Sequence, residues 1–170
     1  MKKILIIEDD NNIRESIDDL LRMKGYKTMV AKNGEEGLMI SETSTVDLVV
    51  CDIMMPELNG YGVLQIISKD ITTKHIPFIF LSAKSEHKDI RKGMNLGADD
   101  YITKPFDESE LFSAIESRLA KVAILKENLE IKSIADTNKP FDEPIKNLGH
   151  LKKYFNENSK IFRFGNNEPP

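Results

Sequence analysis

Four groups able to do chemistry follow four apolar runs. Glu8, Asp9 and Asp10 come after Ile4-Leu5-Ile6-Ile7, Asp52 after residues 46–51, Ser82 after residues 76–81, and Lys104-Pro105 after residues 99–102. Taken singly, the acids read equally well as helix N-terminal or strand-end caps, and Ser82 and Lys104 are commonplace. Taken together, they combine into a definite chemistry. Gathering Glu8, Asp9 and Asp52 is unfavourable without a cation, because two carboxylates about 4 Å apart repel by roughly 4 kcal/mol at an effective dielectric near 20. Hard oxygen ligands in an open site suit Mg²⁺, which keeps several waters and favours phosphate oxygens. Lys104 then supplies a second positive charge and Ser82 a hydroxyl donor for the oxygens of a phosphoryl group, which leaves Asp52 as the nucleophile.

Such a site exists only if the chain brings the four loops to one edge. Short apolar runs alternate with helical patterns over most of the sequence, the signature of an α/β fold with a doubly wound parallel sheet. Ile4-Leu5-Ile6-Ile7 and residues 46–51 and 76–81 are nearly continuous and predict central strands buried on both faces. Residues 26–30 and 99–102 are shorter or more polar and predict edges. With right-handed connections the strand order is 2-1-3-4-5, and the crevice lies where the order reverses, at the C-terminal ends of strands one and three. The helices are announced by a stripe of Ile13, Ile17, Leu20 and Leu21 closed by Gly25, by patterns over 34–41, 60–68 and 86–96, the last capped by Ser85 and stopped by Gly97, and by Asp107 with Glu110 as a capping box before Leu111, Ile115, Leu119 and Val122. Leu125 and Leu129 prolong that stripe as a helical extension rather than a coiled coil, since the heptad rows are half polar.

Composition narrows the function classes. The chain has 170 residues, 40% hydrophobic and 31% charged, enough for one full-sized core and an appendage. No apolar run is long enough to span a bilayer and no signal peptide precedes the first strand, so a cytoplasmic protein with no membrane contact is expected. One cysteine, Cys51, excludes an internal disulfide and a thiolate zinc cluster. Its position beside Asp52 raises the prospect of an oxidation-sensitive site. A formal net charge of -4 argues against direct nucleic-acid binding by this chain. The first 130 residues carry 17 Lys+Arg against 23 Asp+Glu and the last 40 carry 7 against 5, so the character changes near residue 131. We divide the chain into residues 1–122 as the main domain, 123–144 as helical extension and linker, and 145–170 as a short tail. In the tail Ile145, Leu148, Leu151 and Phe155 mark one short amphipathic helix. It is read either as a packed tail or as the start of a truncated output domain.

The runs ILIIEDD, VDLVVCDIMMPELNGYGVL, PFIFLSAKSE and GADDYITKPFDESEL resemble the receiver domain of bacterial two-component response regulators, over about residues 3–121. The resemblance implies a flavodoxin-like fold of five strands and five helices, with Asp52 as phosphoacceptor and Glu8 and Asp9 as the Mg²⁺-binding acids. It further implies that the Met54 carbonyl completes the metal ligands and that Asp10 is an extra acid. Ser82 is implied as the hydroxyl that bonds the phosphoryl group, Lys104 as the family's lysine held by a cis peptide to Pro105, and Tyr101 as the switch aromatic. The donor is then a phosphohistidine on a sensor histidine kinase or phosphotransfer protein. Phosphorylation draws Ser82 inward, Tyr101 rotates into the space opened, and the surface of the fourth helix, fifth strand and fifth helix changes, pairing two receivers as a homodimer or releasing an output domain. Met54 and Lys84, each two residues past a site group, flank the path of attacking water. On this reading the chain catalyses its own phosphorylation and dephosphorylation and is not an enzyme acting on an external substrate.

Two rivals remain in view. A phosphohydrolase with an Asp nucleophile needs a general acid two residues on, and Met54 cannot transfer a proton. A pseudo-receiver that keeps the fold as an interaction module has no use for the full set of chemical groups. His150, in the tail, lacks the flanking pattern of a kinase histidine and reads as a surface residue. Residues 148–168 faintly resemble the lead-in to a cyclic-nucleotide-binding domain.

Overall fold

The computed structural model describes residues 1–83 and 87–137, with side chains described over 1–83 and 88–131. Five strands, β1 (Lys3–Ile7), β2 (Lys27–Ala31), β3 (Leu48–Asp52), β4 (Phe78–Ser82) and β5 (Asp100–Thr103), alternate with five helices, α1 (Asn11–Met23), α2 (Gly34–Thr43), α3 (Gly60–Lys69), α4 (His87–Asn95) and α5 (Glu108–Thr137). All strand pairs are parallel and the order is β2-β1-β3-β4-β5, as the apolar runs predict. The central strands β3 and β4 are buried at every position.

Because side chains alternate across a strand, each strand feeds two cores. Leu5, Ile7, Val49, Cys51, Phe78 and Phe80 pack on one face against Val63, Leu64 and Ile67 of α3 and Leu38 and Ile40 of α2. Ile4, Ile6, Leu48, Val50, Ile79 and Leu81 pack on the other against Ile17 and Leu21 of α1 and Leu111 and Ile115 of α5. Gly25 and Gly97, at φ 93° and 100°, end α1 and α4 in the left-handed region.

β2, β3, β4 and β5 each end one residue later than hydropathy places them. Asp52 and Ser82 are themselves the last residues of β3 and β4, because Asp52 pairs with Leu81 and Ser82 with Thr103. Ladder hydrogen bonds carry the strand to these polar side chains, which a hydrophobicity pattern excludes. Past Ile115 the α5 stripe leaves the core: Leu119 and Val122 are half-buried and Ile124, Leu125 and Leu129 exposed. The helix continues to Thr137, beyond the change of texture near residue 131. The compact unit that carries the sheet runs Met1–Asn128. Lys84, the Ser85 cap and the tail helix around Leu148 lie outside the described residues.

Candidate functional site

The three consecutive acids after β1 divide into separate tasks. Glu8 is 2% exposed; its N–H donates to the Ala31 carbonyl at 3.1 Å, one step beyond the end of the strand. Asp10 is the N-cap of α1, its Oδ1 accepting from the N–H groups of Asn12 and Ile13 at 2.9 and 3.0 Å. The structure therefore spends the extra acid on the helix. Asp9, exposed between them, joins Glu8 and Asp52 in a cluster whose oxygens lie within 4.8 Å of one another. Arg14, which the sequence pattern does not single out, bonds the Glu8 and Asp9 carbonyls at 2.7 and 3.3 Å and holds the loop.

Asp52 is 4% exposed. Its Oδ1 accepts from Lys104 Nζ at 2.8 Å and its Oδ2 from the Met54 N–H at 2.6 Å. The same ammonium reaches Glu8 Oε2 at 2.6 Å. Lys104 is placed from its backbone, since its N–H donates to the Ser82 carbonyl at 2.8 Å and the Lys104-Pro105 peptide is cis. On the other side Gly60 opens α3 against the end of β3. A Cβ there would fall on the Asp52 carbonyl oxygen and lie 3.0 Å from Ile53 Cα, so only glycine permits the approach.

The electrostatics follow from this crowding. Burial raises the Glu8 pKa above its ordinary value; Asp52 adds to the rise and Lys104 only partly offsets it. Burial favours loss of the Lys104 proton, but its bonds to Asp52 and Glu8 outweigh that and hold its pKa above the lysine range. Three carboxylates share one ammonium, so the cluster keeps a negative excess. The donor set is all oxygen and open on the Asp9 side. That fits a hard divalent cation such as Mg²⁺, with Glu8, Asp9 and Asp52 as the residues that would hold it. The Met54 N–H is engaged with Asp52, while its side chain is exposed. Cys51 is fully buried with its thiol pKa raised well above normal, chiefly by burial and then by Asp52 and Glu8. The thiol therefore stays protonated and unreactive, contrary to the oxidation-sensitive site its sequence position raises.

Ser82 is 0% exposed. Tyr101 of β5 is half-buried. Its ring meets Phe80 edge-on at 6.1 Å. Tyr61 is a residue the sequence reading missed; its one signal is a hydroxyl-bearing aromatic in the first turn of an otherwise apolar helix.

A family model, the response regulator receiver domain, matches residues 4–116. The chain belongs to this family. Among relatives of the receiver domain, the probable transcriptional regulator ycf27 of Cyanidium caldarium is 39% identical over 160 residues, covering 94% of this chain and 62% of that protein. The transcriptional regulatory protein DltR of Streptococcus agalactiae is 40% identical over 126 residues, covering 74% of this chain and 55% of that protein. Among solved structures, the receiver domain of the Francisella response regulator 1452 superposes with a TM-score of 0.67 at 34% identity, covering 71% of this chain and 98% of that one. The chain spans 46–62% of the length of curated relatives it matches. Among the described residues of this receiver, no helix is long and apolar enough to cross a membrane.

Proposed function

We propose that this receiver is a phosphorylation-dependent switch in which Asp52 accepts a phosphoryl group from a phosphohistidine of a sensor histidine kinase or phosphotransfer protein. The observation that supports this most is a buried carboxylate at the end of β3, held at 2.8 Å by an ammonium and clustered with two further carboxylates. In the transfer an Asp52 oxygen attacks phosphorus in line, the P–N bond to the donor imidazole breaks, and the histidine leaves. Glu8, Asp9, Asp52 and the Met54 carbonyl would hold Mg²⁺, which would supply positive charge to the phosphoryl oxygens. Lys104 neutralises a further oxygen, and Ser82 donates its hydroxyl to another. Met54, two residues past Asp52, would flank the approach of hydrolytic water, and on this reading the chain acts on no external substrate.

The signal leaves through α4, β5 and α5. Tyr101 of β5 is the switch aromatic of this face, its ring against Phe80 of β4, and Arg118 of α5 is tied to Asp100 of β5 at 2.9 Å. A second copy of the chain is the partner we assign to that face. Transcriptional control, which the names of the relatives state for them, is assigned to the part of such proteins that this chain does not span. The setting is cytoplasmic.

Intact mass after incubation with Mg²⁺ and acetyl phosphate tests the reading. Wild type should gain one phosphoryl group, and the gain should vanish with prior chelator and in Asp52→Asn. No gain under any condition would leave a pseudo-receiver with a constant interaction surface.

A further inference from the structure

Arg14, in the first turn of α1, is half-buried. Its Nη1 donates to the Glu8 carbonyl at 2.7 Å and to the Asp9 carbonyl at 3.3 Å, and its Nη2 donates to Asn11 Oδ1 at 2.6 Å. The Asn11 amide is fixed in turn, since its Nδ2 donates to Glu15 Oε1 at 2.7 Å. Helix α1 thus reaches back over its own N-terminus and takes hold of the loop that carries two of the three clustered acids.

The two acids depend on that grip unequally. Glu8 has other anchors: its N–H bonds the Ala31 carbonyl, its Oε2 accepts from Lys104 Nζ, and its Oε1 accepts from the Asp10 N–H at 3.4 Å. Asp9 is exposed, and among the described residues the bond from Arg14 is the one hydrogen bond it makes. A carboxylate with no such partner of its own is aimed by its main chain, so where the Asp9 oxygens fall depends on what holds that main chain.

All three acceptors of Arg14 are uncharged oxygens. Lys104, by contrast, covers one oxygen of Glu8 and one of Asp52. A cation beside the acid cluster that leaves the carboxylate oxygens uncovered opposes a metal ion by its charge and favours it by its geometry. The planar guanidinium points its donors in fixed directions and serves three acceptors at once, whereas a lysine ammonium keeps the charge and loses the fork.

We propose that Arg14 is a positioning residue for Mg²⁺, its fork gripping the main chain of Glu8 and Asp9 so that the Asp9 carboxylate stays gathered with those of Glu8 and Asp52. The inference rests on the metal reading of this site, on which the phosphorylation reading above also draws. Arg14 bonds none of the carboxylate oxygens of the cluster and acts through Asp9.

Calorimetric titration of the full chain with Mg²⁺ alone tests it, with urea unfolding of the same variants in metal-free buffer. Arg14→Lys should raise the Mg²⁺ dissociation constant about tenfold, the effect of removing a group that orients a metal ligand. Arg14→Met also removes the charge that opposes the metal, so it should weaken binding by less than Arg14→Lys does. Asn11→Ala, at an exposed position, frees one arm of the fork without changing any charge and should weaken binding by about threefold. On an Asp9→Ala background Arg14→Lys should add no further loss, because the ligand it positions is gone.

Wild-type affinity in Arg14→Lys, whether or not its urea midpoint falls, would leave Arg14 a charge or a structural brace and overturn the proposal. Tighter binding by Arg14→Met than by wild type would do the same, since charge would then outweigh geometry. A tenfold loss that persists in full on the Asp9→Ala background would place the effect elsewhere than Asp9 and overturn it too. Mg²⁺ binding by wild type with any of these results sinks this inference alone, whereas no Mg²⁺ binding by wild type sinks the metal reading and the inference with it.

Discussion

Lys104 Nζ lies 2.6 Å from Glu8 Oε2 and 2.8 Å from Asp52 Oδ1, one ammonium bridging two carboxylates that the neighbouring parallel strands β1 and β3 deliver side by side at their C-terminal ends. The bridge makes the site tolerable to the fold and also readies its charge for an incoming phosphoryl group.

Replacing Lys104 with Met keeps the stem and removes the charge. Two buried carboxylates then face each other without a cation, and the loss of one member of such a buried pair costs about 3 kcal/mol. Urea unfolding in metal-free buffer should show that loss, and Mg²⁺ should recover part of it. The rate of phosphoryl gain from acetyl phosphate should fall by about 100-fold or more. Unchanged kinetics would remove Lys104 from the chemistry.

Mg²⁺ should raise the melting temperature of wild type by linkage, roughly 1.4 kcal/mol for each tenfold excess over its dissociation constant. Asp9 is the exposed member of the acid cluster, so Asp9→Asn should weaken the Mg²⁺ response while leaving metal-free stability near wild type. Equal Mg²⁺ shifts in both proteins would count against Asp9 as a ligand.

Glu8 gives a pH dependence of known sign. Burial holds its folded pKa above the ordinary 4.5, so its favourable contribution is complete below that value and is lost as pH rises through the folded pKa. In metal-free buffer the stability of wild type relative to Glu8→Gln should therefore fall between pH 4 and neutrality, measured as urea midpoints at each pH. A difference that grows with pH would contradict the burial argument.

Gly60→Ala places a methyl group against the Asp52 carbonyl. Overpacking of this kind costs roughly 1–3 kcal/mol. Because the clash falls on the phosphoacceptor's own backbone, phosphoryl gain should slow as well as the melting temperature drop. Glu57, in the same loop, sits at φ 64°, where a side chain is strained, and Glu57→Gly should raise stability by about 0.5–1 kcal/mol in thermal melts.

Much of this was legible without coordinates. Unbroken apolar runs identify β1, β3 and β4 as doubly covered, because burial on both faces leaves no room for polar alternation. Asp52 and Ser82 stand out as candidates because each follows such a run, and Lys104 because it follows the shorter edge strand β5. What failed to show is equally physical. Glu8, Asp9 and Asp10 are three similar acids in a row, and their division into buried acid, exposed acid and helix cap depends on where the ladder stops and α1 begins. Arg14 and Tyr61 look like ordinary helix residues, since what matters is where their polar tips end.

The sequence by itself determined the α/β class, the strand order and the set of groups at the crevice, since burial, local turn chemistry and chain connectivity all act through residues close together in the chain. Only the tertiary structure decided that one ammonium spans Glu8 and Asp52 and that Asp10 serves the helix. It alone set the Tyr101 ring edge-on to Phe80 and the Tyr61 hydroxyl against the Asp89 carbonyl of α4. These are contacts between residues up to 96 positions apart, set to within tenths of an ångström by packing, and no local pattern encodes a distance.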